Sequence, residues 1–228
     1  CIRDRFYYRW KWPGGIPDQE WLRTRAAWRK GIRTVLNRRL PGLESPGLIK
    51  NKLLSGEFRD RLLSQAWTEW DAHRMKPQPP TEVCWLSDFL VRDAVQAVGK
   101  SDTIIWYAET AMGDALRRCG IPQFGAGTNP VLSGGPVACS IAAHGTGKNL
   151  QKYNKNLVIT IPGSGKAVEQ LFGRTHRPGQ SADEVDVTVY GHTFTLRDSM
   201  RNACRDAGVL ERILRTPAKL EMATFDLH

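Results

Sequence analysis

Twelve residues, EQLFGRTHRPGQ at positions 169–180, gather the groups best suited to chemistry on a phosphate. Arg174, His176 and Arg177 fall within four positions, between Gly173 and a Pro178-Gly179 turn, with Gln170 one helical turn upstream. A guanidinium is planar, permanently charged and donates in a fork, so two of them where a helix must end suit phosphate oxygens.

Two other stretches, HGTGKN (144–149) and PGSGKA (162–167), place Gly-Lys after a strand candidate. A nucleotide-cradling Walker A loop needs G-x-x-x-x-G-K-[ST]. Ala142 and Thr160 stand where its leading glycine belongs, and Asn149 and Ala167 where its hydroxyl belongs. That hydroxyl is the group that would hold Mg²⁺, so neither stretch reads as an independent P-loop.

The elements that must position these residues are legible as alternating strands and helices. A helix is expected over Ser87–Val98, a strand over Thr103–Ala108, and a helix over Thr110–Cys119 ending at Gly120. Strands follow at Gln123–Gly125, Ala138–Ala143 and Leu157–Ile161, then a helix over Ala167–Phe172 and a strand over Val185–Tyr190. A last helix spans Leu196–Leu214, with Thr195 and Asp198 at capping-box spacing. Such alternation implies a mostly parallel, buried sheet, and ligands gather at the carboxyl ends of strands in such sheets.

Residues 1–80 differ in character. After a short aromatic-basic opening, a helix reads from an Asp18 N-cap to Leu40 before Pro41, with Trp21, Trp28, Ile32 and Val35 in one stripe. PGLESPG reads as a link. A second helix reads over Ser55–Arg74, with Phe58, Leu62, Ala66 and Trp70 spaced by four. KPQPP (76–80) cannot be helix interior and marks a boundary, giving a helical segment 1–80 and an α/β domain 81–228.

Charge divides at the same place. Residues 1–76 hold 17 Lys/Arg against 8 Asp/Glu, while residues 77–228 hold 16 against 15, so nearly all of the net +10 lies in the first third. Seven of the eight tryptophans lie in the first 85 residues. Arginines for phosphates and rings for bases suit a polyanion; tryptophans packed in a core with arginines solvating helix surfaces would give the same composition. The five cysteines (1, 84, 119, 139, 204) are scattered, with no zinc spacing, and read as reduced thiols of a cytoplasmic protein. No apolar run is long enough for a membrane span, and neither a transmembrane helix nor a signal peptide is expected. A first residue of Cys1 reads as a fragment or processed piece.

Taken together, SIAAHGTGKNLQ, the strand LVITIP and EQLFGRTHRPGQ resemble motifs V and VI of superfamily 2 helicases, most closely the Swi/Snf-like branch and its bacteriophage members. Gly145, Gly147, Asn149 and Leu150 match the first block. Gln170, Arg174, His176, Arg177, Gly179 and Gln180 match the second. DTIIWYAETAMGDALRRCGIPQFGAG is similar to motif IV, so the resemblance covers about residues 85–195. His144 stands where the related pattern has glycine.

The resemblance implies a second RecA-like lobe, an α/β fold with a mostly parallel sheet flanked by helices, preceded by the helical basic Trp-rich segment. Arg174 and Arg177 would be arginine fingers, and their loss would abolish turnover while nucleotide binding survived. Gln170, Gly147 and Gly173 would serve nucleotide binding. Gly145, Lys148, Asn149 and Gln151 would contact nucleic acid, with Lys152 adding charge. No protein metal site is expected. ATP and Mg²⁺ would be held mainly by a first RecA-like lobe, in the same or another chain, because Walker A and a DEAH-like box are missing here. The chain alone would then be inactive. The partner would be DNA, single- or double-stranded, or RNA. The alternative is a non-catalytic nucleic-acid-binding module retaining a helicase fold; a third reading is an interaction domain built on the tryptophan-rich helices.

Overall fold

The computed structural model describes residues 6–130, 134–215, 217 and 219, so Cys1 lies outside the described residues. The chain forms two units: Tyr8–Glu82, and Val83 onward together with Phe6 and Tyr7. Strands β1 (Phe6–Trp10) and β2 (Thr81–Trp85) pair as a two-stranded sheet where the chain passes between the units. The ends of the smaller unit are tied by Lys11 N–H to the Pro80 carbonyl at 2.7 Å and by an Arg9–Glu82 ion pair.

Helix α1 (Gln19–Asn37) starts where the sequence places it, because the Asp18 carboxylate accepts the Trp21 N–H at 2.9 Å. It ends earlier than Leu40: Arg39 turns left-handed at φ 51° ahead of Pro41. The presumed link holds a helix of its own, α2 (Pro46–Ser55), with Ser45 as N-cap and Pro46 in the first turn. Gly56, at φ 79°, closes α2, so the expected helix over Ser55–Arg74 shortens to α3 (Arg61–Asp71), capped by Asp60. The new start shifts the buried face. Leu62 is 79% exposed, whereas Leu63 is 2% exposed and packs with Ile32, Val35, Leu43 and Ile49.

The larger unit contains α4 (Phe89–Val98), β3 (Thr103–Tyr107), α5 (Thr110–Arg118), β4 (Gln123–Phe124), β5 (Val137–Ser140), α6 (Ile141–His144), β6 (Lys155–Val158), α7 (Gly165–Phe172), β7 (Asp186–Val189) and α8 (Phe194–Leu214). The five strands β3–β7 form one all-parallel sheet in the order β4-β5-β3-β6-β7. The α/β class with a mostly parallel sheet flanked by helices, expected from the sequence, is the class observed.

Central β3 has no polar face: Ile105 and Tyr107 pack with Leu90, Ala94, Met112 and Leu116 of α4 and α5. Ile104 and Trp106 pack on the other face with Val168 and Leu171 of α7 and Ala203 and Ala207 of α8. Burying each such side chain is worth about 1.5–3 kcal/mol, which makes β3 the anchor of the unit.

Two boundaries differ in ways that matter. The expected strand 138–143 ends at Ser140, whose β3 partner Tyr107 is the last residue of its strand; with no neighbour beyond, Ile141–His144 winds into α6. The expected Thr195 cap is instead Thr193, whose hydroxyl accepts the Leu196 N–H at 3.3 Å. No helix among the described residues is long and apolar enough to cross a membrane.

Candidate phosphate-facing site

The stretch that resembles motif VI emerges from α7 as a tight turn, and the one that resembles motif V runs through α6 into the loop before β6. A buried polar chain seats the turn. Trp106 Nε1 donates to Asn156 Oδ1 at 3.0 Å, and Asn156 Nδ2 donates to Thr175 Oγ1 at 3.1 Å. Asn156 also reaches the Asp186 carbonyl at 3.2 Å, so β3, β6, β7 and the turn share one amide. All its polar atoms are used, which is the condition for a buried network to stabilise.

Four bonds then lace the two loops together, and a fifth, from Gln180 to Thr175, braces the turn itself. Leu150 N–H donates to the Arg174 carbonyl at 3.0 Å. Arg174 Nη1 donates to the Lys148 carbonyl at 2.9 Å. Gln151 Nε2 donates to the Gly179 carbonyl at 3.3 Å. Gln180 Nε2 donates to the Tyr153 carbonyl at 3.0 Å and the Thr175 carbonyl at 3.1 Å. The turn therefore sits against residues leading into β6, at its amino end, whereas the general rule for such sheets pointed to carboxyl ends.

The two arginines are not a matched pair. Arg174 is 7% exposed, with Nε on the Gln170 carbonyl at 2.8 Å and Nη1 on Lys148. Burial, and then the charge of Arg177, lower its pKa from the ordinary guanidinium value. Arg177 is exposed, and no hydrogen bond or ion pair engages its side chain among the described residues. Gln170 is half-buried; its carbonyl holds Arg174. Gly173 is close-packed: a Cβ there would lie 3.1 Å from the Glu169 carbonyl oxygen.

In motif V, Gly147 has φ 75°, a conformation that disfavours any side chain. Buried Gly145 would place a Cβ 2.5 Å from the Ile141 carbonyl oxygen. Lys148 Nζ donates to Asn129 Oδ1 at 2.5 Å, and Asn149 Oδ1 accepts the Gln151 N–H at 3.3 Å, an Asx turn. His144, only 2% exposed, sets Nε2 3.0 Å from the Gly125 carbonyl. Nε2 must then carry the proton, which leaves Nδ1 an acceptor without a partner among the described residues. Burial lowers the His144 pKa.

The second Gly-Lys stretch has a packing role. A Cβ on Gly165 would lie 2.6 Å from Ala207 N and 2.8 Å from the Ala203 carbonyl oxygen, so glycine lets α7 approach α8. Its N–H donates to Asp206 at 3.1 Å, placing a carboxylate of the chain's own at the start of α7. Asn156, Thr175 and Tyr153 were not singled out from the sequence. A polar residue inside an otherwise apolar strand, Asn156 in KNLV, is the signal that would have found the first of them.

No family model and no curated protein matches the chain. Among solved structures it is similar to the C-terminal part of the Fun30 ATPase domain, at 15% identity over 56% of this chain and 53% of that one, with a TM-score of 0.35. The match spans about half of that chain, and a likeness this loose carries no argument about function.

Proposed function

We propose that the larger unit is the second motor lobe of an ATP-dependent nucleic-acid helicase or translocase of the Swi/Snf-like superfamily 2 type. The observation that carries the reading is the lacing of motif V to motif VI with Arg177 left exposed and, among the described residues, unpaired. A rigid turn holding out one guanidinium fits a group that must meet phosphate oxygens supplied from elsewhere. The exposed guanidinium fits the phosphates, and the reading leaves Mg²⁺ with the first lobe.

ATP with Mg²⁺ would supply the transferable phosphoryl group, held mainly by a first lobe. Arg177 would stabilise charge on that group's oxygens. Arg174 would act through Arg177, as a positioning residue that fixes the turn to motif V. Gln170 would orient the nucleotide. Lys148, Asn149 and Gln151 would face the nucleic-acid backbone, with Gly145 and Gly147 letting the main chain come close. The setting would be the cytoplasm.

The test is ATP hydrolysis, with and without DNA, by an assembly containing the first lobe. Arg177→Ala should lower turnover by roughly 10³-fold, the lower end for an arginine finger, with folding intact. DNA-stimulated turnover near wild-type in that variant would sink the assignment. The alternative, a non-catalytic binding module, draws on the basic aromatic unit and would be favoured if the wild-type assembly bound DNA but never hydrolysed ATP.

A further inference from the structure

The smaller unit carries a cavity of about 570 Å³ that the motor reading does not use. Its walls are rings and prolines: Trp12 and Trp21 with Ile16, Pro13, Pro77 and Pro79. Trp21 is 2% exposed, and its indole Nε1–H is buried without an acceptor among the described residues.

The surroundings are cationic. Tyr8–Glu82 holds 15 Lys/Arg against 8 Asp/Glu. Arg25 lies 4.7 Å from the Trp10 ring centre and 5.1 Å from that of Trp21. Arg25, Arg29 and Arg33 stand four residues apart on α1, and none is ion-paired among the described residues. By contrast Lys76, at the cavity wall, is already neutralised by Asp18 at 2.8 Å. An apolar slot with a partly exposed ring, in a unit whose Arg25, Arg29 and Arg33 have no ion pair among the described residues, has the two parts that single-stranded polynucleotides require: faces for bases and charges for phosphates. A duplex hides its base faces, and a neutral apolar peptide leaves the arginines unanswered.

We propose that the cavity beside the partly exposed Trp12 receives an unstacked base of a single-stranded polynucleotide, whose phosphates follow Arg25, Arg29 and Arg33. The site stands apart from the motor reading, since it needs neither ATP nor Arg177.

The experiment is fluorescence anisotropy with the full chain, without nucleotide, using labelled oligo-dT, oligo-rU and a base-free oligomer of equal length. Motif V would touch only the backbone, so preference for bases isolates the slot. Oligo-dT should bind about 10-fold tighter than the base-free chain, within the range of one to a few stacked bases. Trp12→Ala should remove that preference, Trp12→Phe should keep most of it, and Arg25→Gln with Arg29→Gln should weaken both oligomers and flatten the salt dependence. Oligo-rU bound like oligo-dT assigns the slot to bases of either sugar; oligo-rU discriminated against assigns it to DNA. Equal binding of dT and base-free chains by the wild type would overturn the proposal. So would unchanged preference in a folded Trp12→Ala chain, or uptake of a proline-rich peptide in place of oligo-dT.

Discussion

The two units solve the problem of presenting arginine in opposite ways. In the larger unit, the motif V and VI loops are held by hydrogen bonds to main-chain carbonyls, and one guanidinium is consumed in the holding. In the smaller unit Arg23 of α1 is ion-paired with Glu69, whereas Arg25 rests on tryptophan faces and Arg29 and Arg33 have no ion pair among the described residues, and the rings pack edge to face: Trp10, Trp12 and Trp70 around Trp21, Trp28 against Trp67. Hydrogen bonds fix direction to a fraction of an ångström, as a group aimed at a reacting phosphate needs. Ring packing fixes a surface and leaves cations free to follow a flexible strand. The contrast separates a place for chemistry from a place for grip.

The sharpest way to break the comparison is at Arg174. Arg174→Ala removes two charge-assisted bonds and opens the seam, at a cost of about 3 kcal/mol. That corresponds to a melting temperature lower by roughly 6–12 °C for a chain of this size. Arg25→Ala in the smaller unit should move the melt far less, since its partners are ring faces and not hydrogen-bond acceptors, worth about 0.5–1 kcal/mol each. Equal shifts in thermal unfolding would erase the distinction.

Next comes the buried amide. Asn156→Leu strands the Trp106 indole N–H and takes away the donor to Thr175, for about 2 kcal/mol by chemical denaturation. Gly165→Ala should follow at roughly 1–2 kcal/mol, because the atoms it meets on α8 are backbone and cannot swing aside. The smallest effect is at His144. Burial lowers its folded pKa below the ordinary value, so the folded state binds fewer protons than the unfolded one just below that value. Stability from this group is therefore present above the ordinary histidine pKa and is lost as pH falls through the folded pKa. Melts taken at neutral and mildly acidic pH should diverge more for wild type than for His144→Gln.

Much of this was legible in the sequence, and the exceptions have physical causes. TIIWY announces a strand buried on both faces, Gly120 ends α5 at φ 87°, and Asp18 caps α1 as expected. Ser45-Pro46 carries a valid helix start, yet the prolines and glycines around it read as a break, so α2 was missed. Placing the start of α3 six residues early rotated its apolar stripe and chose Leu62 over Leu63. Thr193 and Thr195 are both competent caps, and the choice between them depends on how α8 docks. The motif itself named Arg174 and Arg177 but could not rank them. Their difference arises from Lys148 and Gln170 carbonyls and from an asparagine on β6, contacts between residues up to 26 apart.

One measurement tests the central claim that one arginine reaches and the other holds. Turnover and melting temperature are taken together for Arg177→Ala and Arg174→Ala in an assembly with the first lobe. The expected result is a split: Arg177→Ala loses turnover with an unchanged melt, and Arg174→Ala loses stability first, with turnover falling alongside. Turnover surviving in a folded Arg177→Ala assembly, or Arg174→Ala melting like wild type, would contradict it.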